Sequence, residues 1–229
     1  MATRGLLQRL ADALATLPEG PGPVRAALEE AQEALRQQDA RMRKIARISD
    51  GYQHRVKKAN LALAEASHTD LLTGLPNRRA MAEWVTAELE RSTRGGSRPA
   101  LLMVDVDHFK EVNDTLGHEA GDRLLQAVGG ALRAALRAYD TCGRWGGDEF
   151  LVLLPDTSPL PALAVGAKLV GAVQRPFGDP DLPGVTISVG VAVQEPGESF
   201  VDLLRRADDA MYDAKRQGRN RVQAAAGTS

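Results

Sequence analysis

The chain has 229 residues, 43% of them hydrophobic, enough to build a core in at least one domain. Its 29 basic and 30 acidic residues nearly cancel, so no global field argues for a nucleic-acid partner or an anionic membrane. No apolar run approaches the ~18 residues of a membrane span, and the N-terminus reads as an amphipathic helix rather than a signal sequence, so a cytoplasmic protein is expected.

In chain order, residues 5–17 place Leu6, Leu7, Leu10, Ala13, Leu14 and Leu17 at helical spacing, predicting a short amphipathic helix. Three prolines and two glycines between Pro18 and Pro23 end it in a hinge, so residues 1–23 form one short region. Residues 24–67 then read as a stalk. Leu28, Ala31, Leu35, Met42, Ile45, Tyr52, Val56, Ala59, Leu63 and Ala66 fall on a and d positions of a heptad, with Gln38 and Ser49 as polar exceptions. About 43 residues at ~1.5 Å each give a rod of roughly 65 Å. A two-stranded coiled coil joining two copies is expected, the alternative being a single helix lying over the globular part. Gly51 marks the expected weak point, between Ile48 and His54.

A globular domain over 68–225 follows, with a tail at 226–229. Gly74 and Pro76 make a turn, and Asn77 is a good cap for a helix. The run ALLMVDVD reads as a buried strand carrying Asp105 and Asp107 at its end. A helix is predicted from about Glu119 to Ala138, with Gly129-Gly130 inside it for close packing, and another over 158–175. A β-branched strand is expected in 184–193, a helix from Ser199 to Gln217 ended by Gly218, and a last strand in RNRVQAA. Cys142, the single cysteine, fits a strand as a reduced packing residue.

The stretch YDTCGRWGGDEFLVLLP, Tyr139 to Pro155, draws these elements together. Two β-like runs flank Gly146-Gly147, and a two-residue glycine turn predicts a hairpin because glycine reaches positive φ without a Cβ clash. Asp148 and Glu149 follow at once. Two carboxylates beside backbone that a ligand can approach suit a divalent cation and a phosphate, the alternative being a solvated acidic turn.

Five separated stretches, LTGLPNRR at 72–79, DVDHFKEVND at 105–114, GHEAGD at 117–122, GGDEF at 146–150 and ADDAMYDAKRQGRNRV at 207–222, together resemble the GGDEF domain family of diguanylate cyclases. The resemblance covers about two thirds of the chain. It implies an α/β (α+β) fold, a mostly antiparallel central sheet packed by helices, and condensation of two GTP into cyclic di-GMP with release of pyrophosphate. It also implies Mg²⁺ or Mn²⁺ as cofactor, with Asp105, Glu149 and the carbonyl of Val106 as ligands and Asp148 tied to metal binding and nucleophile activation. Asn113 and Asp122 match guanine-reading positions, an amide and a carboxylate facing donors that adenine lacks; Asp114 competes with Asn113 as a possible local cap. Lys110, Lys215 and Arg219 match basic positions near the triphosphate, and Gly147 lies where backbone meets substrate. His108 falls in the phosphate loop, with a structural histidine as the alternative.

Upstream, Arg137 and Asp140 form an RxxD at the spacing of the family's inhibitory product site, the alternative being a helix-end salt bridge; the cation that completes such a site is not evident from the sequence. A symmetric cyclic dinucleotide requires two facing copies, which gives the stalk a purpose. An accessory regulatory protein on the N-terminal helices is a further expected partner. The rival to catalysis is a silent module that binds GTP or cyclic di-GMP as a receptor.

Overall fold

A computed structural model describes residues 8–9, 11–13, 15–16, 22–66, 68–95, 98–174, 177 and 179–227, with backbone alone for 25, 48–66 and 94. The chain divides into two units, Met1–Leu63 and Ala64–Ser229.

In the first unit, residues 8–9, 11–13 and 15–16 are helical; the leucines at 6, 7, 10, 14 and 17 and most of the proline hinge lie outside the described residues. Helix α1, Pro23–Ala66, runs on without a backbone break at Gly51, so the weak point expected there is not a helix end. Along the heptad seam Leu28 and Leu35 are half-buried, whereas Met42 and Ile45 are 62% and 60% exposed. The seam from Tyr52 onward falls where only backbone is described.

The second unit is built on a five-stranded sheet ordered β2-β3-β1-β4-β5. Its strands are β1 Ala100–Val106, β2 Thr141–Arg144, β3 Glu149–Leu154, β4 Ile187–Val193 and β5 Arg221–Ala224. Every pairing is antiparallel except β4 with β5. The central strand β1 is buried at all seven positions, which explains a continuous apolar run where a one-sided strand would alternate.

Successive side chains of a strand point to opposite faces, and both faces here are covered. Leu102, Val104, Phe150, Val152, Val189 and Val191 share one core with Leu124, Val128 and Leu132 of α4 (His118–Ala135) and Leu169 and Val173 of α5 (Pro159–Val173). On the other face Leu101, Met103, Leu151, Leu153 and Ala192 join Met81 and Val85 of α2 (Arg78–Gly95) and Leu203, Ala207 and Met211 of α6 (Phe200–Arg216). Helix α6 lies very close to β4: a Cβ on Gly190 would come within 2.1 Å of the Ala207 carbonyl oxygen and 2.2 Å of the Met211 nitrogen.

Caps follow sequence chemistry. Asn77 Oδ1 accepts the Ala80 N–H at 3.0 Å before α2, and Ser199 Oγ accepts the Asp202 N–H at 3.2 Å before α6. The helix expected from about Glu119 to Ala138 is α4, and a further short helix that the sequence reading did not predict, α3 (Phe109–Leu116), precedes it across Gly117 at φ 84. Leu136 is extended, which ends α4 early. Only the first glycine of Gly129-Gly130 is a close contact, with its Cβ position 3.0 Å from Leu75 Cδ1.

Candidate active site

The end of β1 is where the acidic side chains meet. Asp105 is the register partner of Glu149 on β3 and of Ser188 on β4, and the Val106 N–H donates to the Asp148 carbonyl at 3.2 Å. The Lys215 ammonium stands 2.7 Å from Asp105 Oδ2. Burial pushes the Asp105 carboxyl up to about 6, with Asp148 and Glu149 adding to the rise and the Lys215 ammonium opposing it. Glu149 is raised for the same reasons, burial first, then Asp148 and Asp208. Asp105 and Glu149 thus each feel neighbouring negative charge that the one ammonium offsets in part, and an added positive charge would relieve that repulsion.

The glycine turn corrects the sequence expectation. Neither Gly146 nor Gly147 adopts left-handed backbone, and the last ladder pair is Arg144 with Phe150, so the loop is wider than a two-residue turn. Trp145 and Gly146 both direct N–H groups at the Glu149 carbonyl, at 2.8 and 3.3 Å. Gly146 leaves room for Glu149: a Cβ there would stand 2.7 Å from Glu149 Oε2 and push that carboxylate aside. Asp148 and Glu149 are half-buried, and of the four tip residues only Gly147 is fully exposed. The turn is tied down by Arg144, whose Nε and Nη2 donate to the Gly147 carbonyl at 3.1 and 2.7 Å. Trp145 is buried beneath, with the Arg78 guanidinium 4.6 Å over its ring and Phe200 edge-on at 5.9 Å.

Among the described residues no three His, Cys, Asp or Glu side chains form a ready metal cluster. The strand ends nevertheless fit a hard divalent cation. Asp105 and Glu149 supply oxygen donors at paired positions, and an ammonium already rests on one of them.

The predicted guanine readers converge at the α3–α4 junction. Asn113 is half-buried and packs on Gly121, where a Cβ would lie 2.0 Å from its Oδ1; Asp122 is the next residue of α4. The competitor Asp114 is exposed. Lys110 and Arg219 are both exposed, and Arg219 lies in a left-handed turn at φ 58. His108 begins α3 at φ 60 with Nδ1 2.6 Å from Glu111 Oε1. It lines a pocket of about 440 Å³ with Val112, Leu116, Pro183 and Val185, a lining that excludes Asn113 and Asp122.

At the RxxD, Asp140 is buried and its Oδ2 accepts the Arg137 backbone N–H at 3.0 Å, so the two side chains do not form the helix-end salt bridge. The Arg137 guanidinium is exposed and donates to Tyr139 Oη at 2.6 Å. Both residues line a pocket of about 450 Å³ that also takes in Asp156, Ser158 and Lys168. Lys168, a cation of α5 that the sequence reading did not single out, lines the same pocket and donates to the Ala135 carbonyl at 2.6 Å. Sequence reasoning also missed Asp70, Arg78, Arg144, Gly121 and Asp208. Asp208 carried a signal, since it precedes Lys215 by two helical turns on one face of α6.

A mixed sheet with an acidic turn at the ends of two paired strands, an amide–carboxylate pair at a helix junction and a neighbouring cation defines the GGDEF class of domain. The chain belongs to the family described as diguanylate cyclase, GGDEF domain, whose model matches residues 67–221. It is 43% identical over 159 residues to the diguanylate cyclase DgcP of Pseudomonas aeruginosa, a match covering 69% of this chain and 24% of that protein; the chain thus spans about a quarter of that relative's length. Among solved structures, the diguanylate cyclase SiaD in complex with its activator SiaC from Pseudomonas aeruginosa superposes with a TM-score of 0.67 at 38% identity, over 97% of this chain and 98% of that one. The coiled coil and GGDEF domain of DgcB from Caulobacter crescentus, in complex with c-di-GMP, gives a TM-score of 0.66 at 30% identity over 82% and 99%. Among the described residues no helix is long and apolar enough to cross a membrane.

Proposed function

We propose that the chain is a diguanylate cyclase in which two copies each present one GTP, and that the 3′-oxygen of each nucleotide attacks the α-phosphate of the other. Each attack forms one P–O bond and releases one pyrophosphate, so two GTP give cyclic di-GMP and two pyrophosphates. The observation that carries this reading is the pairing of Asp105 with Glu149 beside Lys215.

Asp105, Glu149 and the Val106 carbonyl would hold Mg²⁺ or Mn²⁺, which when bound supplies neutralisation of the triphosphate and acidity at the attacking hydroxyl. Asp148 is assigned to drawing the proton from that hydroxyl. Asn113 and Asp122 hold the guanine edge, and a site built for its N–H groups rejects adenine because its own polar atoms would go unpaired. Lys215, Arg219 and Lys110 meet phosphate charge, and the exposed Gly147 backbone lies against the substrate. His108 is a structural residue at the start of α3, as its bond to Glu111 supports.

Met42 and Ile45, exposed on the seam of α1, support a homodimer through the stalk. Arg137, Asp140 and Lys168 support an inhibitory site for cyclic di-GMP, two cations and a buried carboxylate around one pocket. A regulatory protein on the N-terminal helices is supported by likeness along nearly the whole chain to a cyclase solved with its activator. A GTP-consuming reaction of this kind implies a cytoplasmic location.

Incubation of the full chain with GTP and Mg²⁺, followed by chromatography, tests the reading. Cyclic di-GMP is expected from the native chain and none from Glu149→Ala. Full synthesis by that variant overturns the site assignment, and GTP binding without turnover by the native chain assigns a receptor instead.

A further inference from the structure

A second carboxylate, Asp107, follows β1 directly and is engaged elsewhere than Lys215, the partner of Asp105. Asp107 is 2% exposed and its oxygens are fully engaged. Oδ1 accepts the Ser188 hydroxyl at 2.7 Å, while Oδ2 accepts the Thr186 hydroxyl at 2.6 Å and the backbone N–H of Asn220 at 3.1 Å. Two of these donors belong to β4 and its approach; the third belongs to the turn leading into β5.

That turn is conformationally costly. Gly218, Arg219 and Asn220 stand in succession at φ 111, 58 and 51, and side chains with a Cβ resist left-handed backbone unless their surroundings over-determine it. Here the surroundings do. The Arg219 N–H closes α6 onto the Ala214 carbonyl at 3.0 Å, and the Arg219 carbonyl accepts Arg221 Nε at 3.1 Å. Asn220 is held twice, through its N–H by Asp107 and through Oδ1 by Gln174 Nε2 at 2.7 Å. Of these holds, the Asp107 carboxylate is the buried one, and hydrogen bonds to an ionised acceptor are among the strong ones.

We propose that Asp107 is a positioning residue for nucleotide phosphate: it fixes the left-handed turn that presents Arg219, so that an exposed arginine meets the triphosphate in a preset geometry. The inference rests on the reading of Arg219 as a phosphate contact. A guanidinium on a loose turn must be immobilised as the ligand binds, and fixing the turn in advance removes that loss. The arrangement also gives each of the two aspartates at and just after the end of β1 its own task. Asp105 opens onto Lys215 and the acidic turn, and Asp107, two residues on, ties the Arg219 turn to the same strand.

The test uses the full chain and measures calorimetric affinity for a non-hydrolysable GTP analogue and, separately, for guanosine. Asp107→Ala and Arg219→Ala should each weaken analogue binding about tenfold, the scale of one charge-assisted hydrogen bond, with guanosine affinity unchanged. Combined, they should bind no more weakly than Arg219→Ala alone. Native-like analogue binding by Asp107→Ala, or losses that multiply in the double variant, overturns the proposal. Should Arg219→Ala itself bind the analogue as the native chain does, the phosphate role of Arg219 fails, a distinct outcome that removes the proposal's premise. Asp107→Asn, which keeps the shape, covers the case in which Asp107→Ala does not fold. It should speed hydrogen exchange at the Asn220 amide while leaving the β4 amides of Val189 and Val191 protected, and equal protection at Asn220 overturns the clamp.

Discussion

Arg144 and Asp70, 74 residues apart, form one tether: Arg144 Nη1 stands 3.3 Å from Asp70 Oδ1 while the rest of the guanidinium holds the Gly147 carbonyl. Asp70 in turn accepts the Thr73 N–H and hydroxyl at 2.9 and 2.7 Å. Burial raises its carboxyl, but the Thr73 and Arg144 contacts outweigh that and hold it below the ordinary range. The domain's first turn and its acidic loop are thereby fixed by one side chain.

Asp70→Ala leaves Arg144 half-buried with one anchor gone. We expect a loss of about 1–3 kcal/mol in urea unfolding, typical of a broken hydrogen bond to a charged group, together with reduced cyclic di-GMP synthesis. A loss of stability with full turnover would mean that the loop keeps its shape unaided.

Gly121→Ala should separate stability from recognition. Alanine is favoured over glycine in a helix by up to about 1 kcal/mol, yet its Cβ would fall 2.0 Å from Asn113 Oδ1, the free end of a side chain that can swing aside. The variant should fold at least as well as the native chain by thermal melting and lose preference for GTP over ATP at least about tenfold. Unchanged discrimination would separate Asn113 from base reading.

The pH dependence of the metal-free protein follows from Asp105. Its folded carboxyl lies near 6, above the unfolded value of 3.8, so its contribution to stability is complete below about pH 4 and is lost as pH rises through 6. The loss is at most about 3 kcal/mol, from 1.36 kcal/mol per unit, and Glu149 adds to it in the same direction. Urea unfolding at pH 4.5 and 7.5 should show a steeper fall for the native chain than for Asp105→Asn, and added Mg²⁺ should lessen it. Equal slopes would contradict the raised carboxyl.

Cys142 is buried in β2, and burial pushes its thiol up to about 12. A disulfide reagent at neutral pH should label it only as fast as the chain unfolds, because the thiolate is the reacting form. Labelling within seconds in native buffer would show that the edge strand opens.

Much of this domain could be read from local pattern, because strands and caps are written in a few neighbouring residues. The β1 run, the cap at Asn77 and the start of the helix expected from Ser199 fall within a residue or two of where they were expected. Asp105 at a strand end and Glu149 after the glycine turn were legible in the local pattern, whereas their pairing in one site was implied only by family resemblance. What escaped were relationships between distant residues. Asp70 with Arg144, Gly121 with Asn113 and Lys168 with Arg137 each depend on how separate elements pack. Gly146 was noticed for the wrong reason, since the conformational freedom of glycine was inferred where the structure uses its missing volume. The junction at Gly117 was hidden because α3 is only eight residues long and opens on a left-handed His108 with no side-chain cap to mark its start.

The backbone-to-backbone seating of α6 on Gly190 carries one last implication. A helix resting on flexible side chains can shift by fractions of an ångström as they repack, but one resting on another main chain has no such compliance. Lys215, carried on α6, is therefore fixed in place against β4, the strand paired with the one that holds Asp105. In the proposed two-copy reaction each half then arrives finished, and the quantity left for a cell to adjust is how often, and at what angle, two finished halves meet.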